Sequence, residues 1–163
     1  MLDADEALIC LHEPTTERHG AMHFRSCTID TVEYKCGEFV RCANLAGYPE
    51  CIGEIKALYE LDKAKLCDLT IYVEPEHLKD GREPSHGRDE VFARPSEVTI
   101  NCYELPQRQP EQPKPMVVSY RQYCRIQAER KFDVGRVQIP LTEQDPESRD
   151  KYRVFFVRDC IHF

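Results

Sequence analysis

Tryptophan is absent from the 163 residues and glycine is held to seven, so a glycine-repeat, collagen-like architecture is excluded. No apolar run approaches the ~18 residues that a membrane span needs. The first residues, Met1-Leu2-Asp3-Ala4-Asp5-Glu6, are acidic, and a secretory signal requires a basic start and an apolar core. Neither a membrane-spanning nor a secreted protein is therefore expected. A basic excess is also missing: Lys+Arg is 22 against Asp+Glu 29, a net charge of −7. A domain that grips nucleic acid mainly by neutralising phosphates carries the opposite balance. An acidic surface attracts basic partners over long range, histone tails and other basic peptides among them. There is no HExxH, GxSxG, Walker loop or GxGxxG, so no standard catalytic motif supports an enzyme. No CxxC pair occurs, which removes zinc ribbons and thioredoxin-like motifs.

What is present is a chain of single-domain length, 41% hydrophobic and 31% charged, as in a soluble globular protein. A chain of this size buries roughly 68–70% of its unfolded surface, so one core suffices without metal or disulfides. Nine cysteines, an odd number, sit mostly among apolar residues, as in Phe39-Val40-Arg41-Cys42 and Ile100-Asn101-Cys102-Tyr103. They read as small buried hydrophobes in a reducing compartment. The competing reading is zinc held by Cys10, His12, His19, His23 and Cys27. His19, His23 and Cys27 would share one face of a helix. The segment from Ala21 to Ile29 reads as a strand instead, and the spacings match no standard finger. No metal and no cofactor are expected.

The stretch before His19 is polar and reads as an arm or loop, which divides the chain into an arm (1–20) and one domain (21–163). From residue 22 the pattern is β: 22–29 alternates, Asp30-Thr31 turns, and Val32-Glu33-Tyr34 returns. Residues 37–42 start another strand, 44–49 form a loop, and 51–59 form a longer strand. Gly53 inside it marks a bulge or a close backbone approach. Residues 67–73 and 97–103 are further strands. Many short strands separated by turns indicate a barrel or sandwich. Pro106, Pro110, Pro113 and Pro115 forbid a helix over 105–115 and predict an extended connector. Ser119-Tyr120-Arg121-Gln122 has the S-x-x-Q form of a capping box and opens a helix over 120–131. Its inner face is expected to hold Tyr120, Tyr123, Cys124 and Ala128. A charged loop over 142–150 and a strand over 152–158 close the chain. The fold class is all-β with minor α: a distorted antiparallel barrel with one helix in the C-terminal half.

Several segments, in order, resemble bromo-adjacent homology (BAH) domains. Tyr34-Lys35-Cys36-Gly37-Glu38-Phe39-Val40 is similar to the family's opening strand, and Ile52-Gly53-Glu54-Ile55-Lys56-Ala57-Leu58-Tyr59-Glu60 to the next one. Tyr72-Val73-Glu74-Pro75-Glu76-His77 resembles its aromatic-x-x-Pro-Glu segment, and His86-Gly87-Arg88-Asp89-Glu90-Val91-Phe92 its loop and Glu-Val-Phe strand. Val117-Val118-Ser119-Tyr120-Arg121-Gln122-Tyr123 is similar to the following helix, and Val154-Phe155-Phe156-Val157-Arg158 to a closing strand. The likeness is strongest to the BAH-like N-terminal regions of class 5 AT-rich-interaction-domain proteins, then to BAH repressor proteins. It implies a nuclear, chromatin-associated interaction module that binds a histone tail or a chromatin protein. An adaptor that recruits a chromatin-modifying complex without touching histones is the alternative.

Some BAH domains hold trimethyl-lysine in an aromatic cage by cation–π attraction. The cage positions align with Cys51, Ile71 and Val73, which offer no aromatic face, so methyl-lysine discrimination is expected to be lost. Tyr72 alternates away from Ile71 and Val73 toward the interior. The loop over 74–90 is the other candidate surface. Its peptide-binding candidates are Glu74, Glu76, His77, His86, Asp89 and Glu90, whose carboxylates suit charge-assisted bonds from lysine or arginine. The histidines are read as stabilising turns. On the helix, Arg121 and Arg125, with Arg130 and Lys131, form a small basic stripe that suggests weak contact with nucleosomal phosphates.

Overall fold

The structure is a computed structural model and describes residues 9–106, 113–131 and 152–161. Within them, ten strands join one strongly bent sheet. In chain order they are β1 (Ile9–Arg18), β2 (Ala21–Ile29), β3 (Val32–Lys35), β4 (Phe39–Leu45), β5 (Tyr48–Leu61), β6 (Ala64–Val73), β7 (Glu90–Ala93), β8 (Val98–Asn101), β9 (Lys114–Ser119) and β10 (Tyr152–Cys160). A single α-helix, α1 (Tyr120–Lys131), lies between β9 and β10. The expected class, mainly antiparallel β with one helix in the C-terminal half and a distorted barrel, is the one observed.

Tight turns set the registers. Four hairpins close on two residues at positive φ: His19-Gly20, Asp30-Thr31, Ala46-Gly47 and Asp62-Lys63. Positive φ at both central positions marks the type I′ turn, whose twist matches that of the flanking strands. The closing pairs Arg18↔Ala21, Ile29↔Val32, Leu45↔Tyr48 and Leu61↔Ala64 follow directly. The predicted loop over 44–49 is thus a two-residue turn flanked by paired strands. The stretch read as an arm or loop contains β1, which pairs with β2 along its length despite its polar composition.

β5, 14 residues long, serves two parts of the sheet. Its first half pairs with β4, residues Leu58 to Glu60 pair with β2, and its other edge follows β6 from Ile52 onward. A register shift between Ile55 and Ala57 marks the bend, because a bulge raises local twist. Gly53 sits just before it as a close approach: a Cβ there would stand 3.3 Å from Cys42 Sγ and 3.3 Å from Leu69. β6 likewise pairs with β8 at its start and β7 at its end. β10 runs parallel to both β7 and β9, and β9 lies alongside β4, which closes the barrel. Parallel neighbours need a crossover, which α1 and the residues after it provide. β9 itself escaped the sequence reading, because Pro115 argues against a strand. It is tolerated because β9 pairs with β10 alone.

Alternation divides the apolar residues. Ile55, Leu58, Leu69, Ile71 and Val73 are fully buried in the main core with Cys27, Cys67 and Cys102. Ile52, Val91 and Phe155 form a second cluster, joined by Phe39 and Tyr72. Each such side chain contributes roughly 1.5–3 kcal/mol by leaving water. Five cysteines are buried as expected; Cys10, Cys36, Cys124 and Cys160 are exposed.

The helix begins where the capping motif placed it, with the Gln122 amide donating to Ser119 Oγ at 3.2 Å. Its inner face differs from expectation. Ile126 is the buried residue, packed with Val118 and Val154, and Tyr123 is half-buried beside it. Tyr120, Cys124 and Ala128 are exposed. The sheet meets α1 along the 123/126 line, where the Tyr123 ring packs at a tilt against Phe156, centroids 4.5 Å apart. Gly135 and the charged loop over 142–150 lie outside the described residues.

Candidate functional site

An open groove of about 400 Å³ lies where β4, β5 and the end of β6 meet. β4 contributes Arg41 and Cys42, β5 contributes Glu50 and Cys51, and Tyr72 and Glu74 flank the end of β6. The antiparallel register puts them together: Cys42 stands opposite Cys51, and Ile52 opposite Tyr72. The Tyr72 hydroxyl donates to Glu54 Oε1 at 3.0 Å, and Lys56 Nζ lies 3.0 Å from Glu54 Oε2. Burial, then the Glu54 carboxylate, pushes the Tyr72 hydroxyl well above its ordinary range, so it stays a neutral donor. The Arg41 guanidinium sits over the Phe155 ring at 5.7 Å.

The carboxylates of the groove are loosely held. Glu50 approaches only His77, at 3.8 Å, and Glu74 makes no side-chain hydrogen bond or ion pair among the described residues. His77 follows on the short 3-10 turn Pro75–His77 and so borders the same end of the groove. Glu50 and Arg41 were not singled out by sequence reasoning. The signal that could have found them is the Ala46-Gly47 turn, which fixes the β4–β5 register.

The acidic loop is organised differently from the open surface expected of it. Glu76 receives Arg82 Nε and Nη2 at 3.1 and 2.6 Å, and Arg82 Nη1 donates to the Gly87 carbonyl. Arg82's hydrogen bonds hold the Glu76 carboxyl below its ordinary range. Asp89 Oδ1 lies 2.5 Å from Arg153 Nη1, and Asp89 Oδ2 accepts from the Tyr123 hydroxyl at 2.6 Å. Glu90 is 1% exposed and is bonded by Arg158 and by the Gly87 amide. His86 Nδ1 accepts the Glu83 amide at 3.0 Å and its ring meets Phe92 edge-on, a turn-stabilising use. Three of the six candidates, Glu76, Asp89 and Glu90, therefore satisfy arginines of this chain, while Glu74 and His77 border the groove.

Cys51, Ile71 and Val73, the aligned cage positions, all belong to the main core, and Ile71 and Val73 are fully buried. Arg121 and Arg125 are exposed one helical turn apart on α1; the side chains of Arg130 and Lys131 lie outside the described residues. Of the residues weighed as zinc ligands, His12 bonds Thr28 at 2.9 Å, His23 stacks on Tyr59 at 5.0 Å, and Cys27 is buried. Among the described residues no three His, Cys, Asp or Glu side chains are grouped to hold a metal ion.

No known family profile matches the chain. A stretch of 69 residues, 41% of this chain, is 38% identical to AT-rich interactive domain-containing protein 5B of Gallus gallus. It spans only 6% of that protein's length. Among solved structures, the crystal structure of the yeast Rsc2 BAH domain is similar over 83% of this chain and 48% of that one, at 15% identity and a TM-score of 0.49.

Proposed function

We propose that this chain is a chromatin-associated protein-interaction module, acting in the nucleus, that takes a basic peptide segment such as a histone tail into the groove beside the acidic loop. The observation that carries the reading is the Glu74 carboxylate, unpartnered among the described residues, facing the same groove as Glu50 and Tyr72. A lysine or arginine of the tail satisfies these carboxylates by charge-assisted hydrogen bonds. The chain's net charge of −7 steers a basic segment toward it. The likeness of its segments to BAH domains, and the similarity to a protein named for its AT-rich interactive domain, support the chromatin setting. An open groove also favours direct tail binding over an adaptor role without histone contact. Arg121 and Arg125 add a weak contact with nucleosomal phosphates.

The test is titration of an unmodified histone-tail peptide at two salt concentrations. Binding should be weak and should fall with salt, because exposed charges are screened beyond ~10 Å at 0.1 M. The double variant Glu50→Gln/Glu74→Gln should lose most of it while keeping the wild-type melting temperature. Unchanged affinity in that variant, or no salt-dependent binding by the wild type, would refute the groove as a tail site.

A further inference from the structure

Two cysteines face each other at the groove, and the function proposed above does not use them. Cys42 on β4 and Cys51 on β5 are directly opposed in the antiparallel register, both line the groove, and each retains 7% exposure. Directly opposed residues place their Cβ atoms ~4.5–5.5 Å apart. A relaxed disulfide needs ~3.5–4.5 Å, so the pair is close enough to bridge, and a bridge draws the strands slightly together. Such a strained bond is readily reduced again. No other cysteine combines these features. Cys27, Cys67 and Cys102 are fully buried. Cys10 stands opposite Thr28 and Cys160 opposite Ala93; Cys36 and Cys124 lie outside the registered strand pairs.

We propose that Cys42 and Cys51 form a reversible cross-strand disulfide, a modification site at the groove whose reagent is a low-molecular-weight disulfide such as oxidised glutathione. The Cys51 thiolate attacks one sulfur of the reagent, forming a mixed disulfide and releasing one reagent thiolate. Cys42 then loses its proton to that thiolate and attacks the Cys51 sulfur, displacing the second reagent thiolate, which takes the proton lost by Cys51. Two protein thiols are oxidised by two electrons, and one small disulfide becomes two thiols. The two thiols hydrogen-bond to each other, so the thiolate of one is stabilised by the S–H of the other, and the exchange balances equally with the two sulfurs' roles reversed. In a reducing compartment such a disulfide is transient and redox-sensing.

The experiment equilibrates the full chain in buffers of graded reduced-to-oxidised glutathione ratio, traps it with acid and an alkylating agent, and maps the cysteines by mass spectrometry. Cys42–Cys51 should be the first intramolecular disulfide to appear, and dithiothreitol should reverse it. Cys42→Ser should leave Cys51 as a stable glutathione mixed disulfide. Alkylation of both residues under conditions where exposed cysteines are already glutathionylated would overturn the proposal, as would earlier formation of any other intramolecular disulfide. The wild-type map decides the question even if the variant does not fold, and it needs no peptide, so its outcome is independent of whether the groove binds a tail.

Discussion

The buried carboxylate of Glu90 on β7 and the guanidinium of Arg158 on β10 meet in a two-bond ion pair, with contacts of 2.6 and 3.1 Å across a parallel strand pair. The Gly87 amide adds a third bond to the same carboxylate. Arg158 also donates to the Ser85 carbonyl, so one side chain ties the acidic loop to the closing strand. The loop beside the groove is thus held by charge pairing from within.

Removing one partner strands the other. Arg158→Ala leaves the Glu90 carboxylate buried without its charged partner, which should lower the unfolding midpoint. Arg158→Ala/Glu90→Gln should recover part of that loss, because no buried charge remains; urea melts of the two variants and the wild type check it. Burial alone would raise the Glu90 carboxyl, but Arg158 and the Gly87 amide together hold it below the ordinary range. A carboxyl depressed in the folded state contributes fully above the unfolded value of ~4.3. That contribution is lost as pH falls through the lower folded value. The stability gap between wild type and Arg158→Ala should therefore be widest near neutrality and shrink below pH ~4. A gap that is constant from pH 7 to pH 3 would contradict the assignment.

Gly87 is required for space rather than for turn geometry. A Cβ built there would lie 2.6 Å from Phe156 Cζ. Phe156 cannot yield easily, since the Tyr120 and Tyr123 rings pack against it at a tilt, with centroids 4.9 and 4.5 Å away. Gly87→Ala should cost about 1–3 kcal/mol by overpacking. Gly53→Ala, whose nearest contacts would be 3.3 Å, should cost less. Equal midpoints for the two variants in denaturant would sink this reading.

Ile71→Ala should act on stability alone. Ile71 is fully buried in the main core, whereas Tyr72 turns to the groove side. The substitution removes a buried aliphatic group, worth about 2–5 kcal/mol. The folded fraction should still bind a basic peptide with wild-type affinity. A loss of affinity at a temperature where the variant remains folded would mean that the cage positions touch the ligand.

Much of this architecture could be read from the chain. Ser119 with Gln122 marks the helix start, and alternation over 67–73 puts Ile71 and Val73 on the face opposite Tyr72; which face is inside is the reverse of the expectation, since Ile71 and Val73 are fully buried and Tyr72 lines the groove. Gly47 marks a loop over 44–49 and Asp30-Thr31 reads as a turn, whereas His19-Gly20 falls within the stretch that reads as an arm. Asp62-Lys63 has no glycine, and both positions adopt positive φ in the two-residue turn closed by Leu61↔Ala64. The polar β1 was illegible too: it is held by pairing with β2, and most of its side chains face solvent. The carboxylates of the acidic loop were visible as charges, but not their partners. Arg153 and Arg158 lie more than sixty residues away in sequence, and only the parallel placement of β10 beside β7 brings them there.

Tail binding should be nearly blind to lysine methylation. A working cage surrounds the ammonium with two or three aromatic faces, each cation–π contact contributing about 0.5–2 kcal/mol. Among the described residues lining the groove, Tyr72 is the only aromatic one. Phe39, 6.4 Å from it and tilted, belongs to the buried cluster with Val91 and Phe155, and Tyr48 packs against the main core. Lysine and trimethyl-lysine carry the same single charge, so the long-range attraction of Glu50 and Glu74 is the same for both; trimethyl-lysine has no N–H to donate, so any difference should favour the unmodified peptide. Titrations of matched unmodified and trimethylated peptides should give dissociation constants within a factor of ten, a difference below about 1.4 kcal/mol. Tyr72→Ala should weaken both peptides by the same factor. A tenfold or greater preference for the trimethylated peptide that disappears in Tyr72→Ala would show that Tyr72 and a second ring, brought in by the ligand's own binding, assemble a cage.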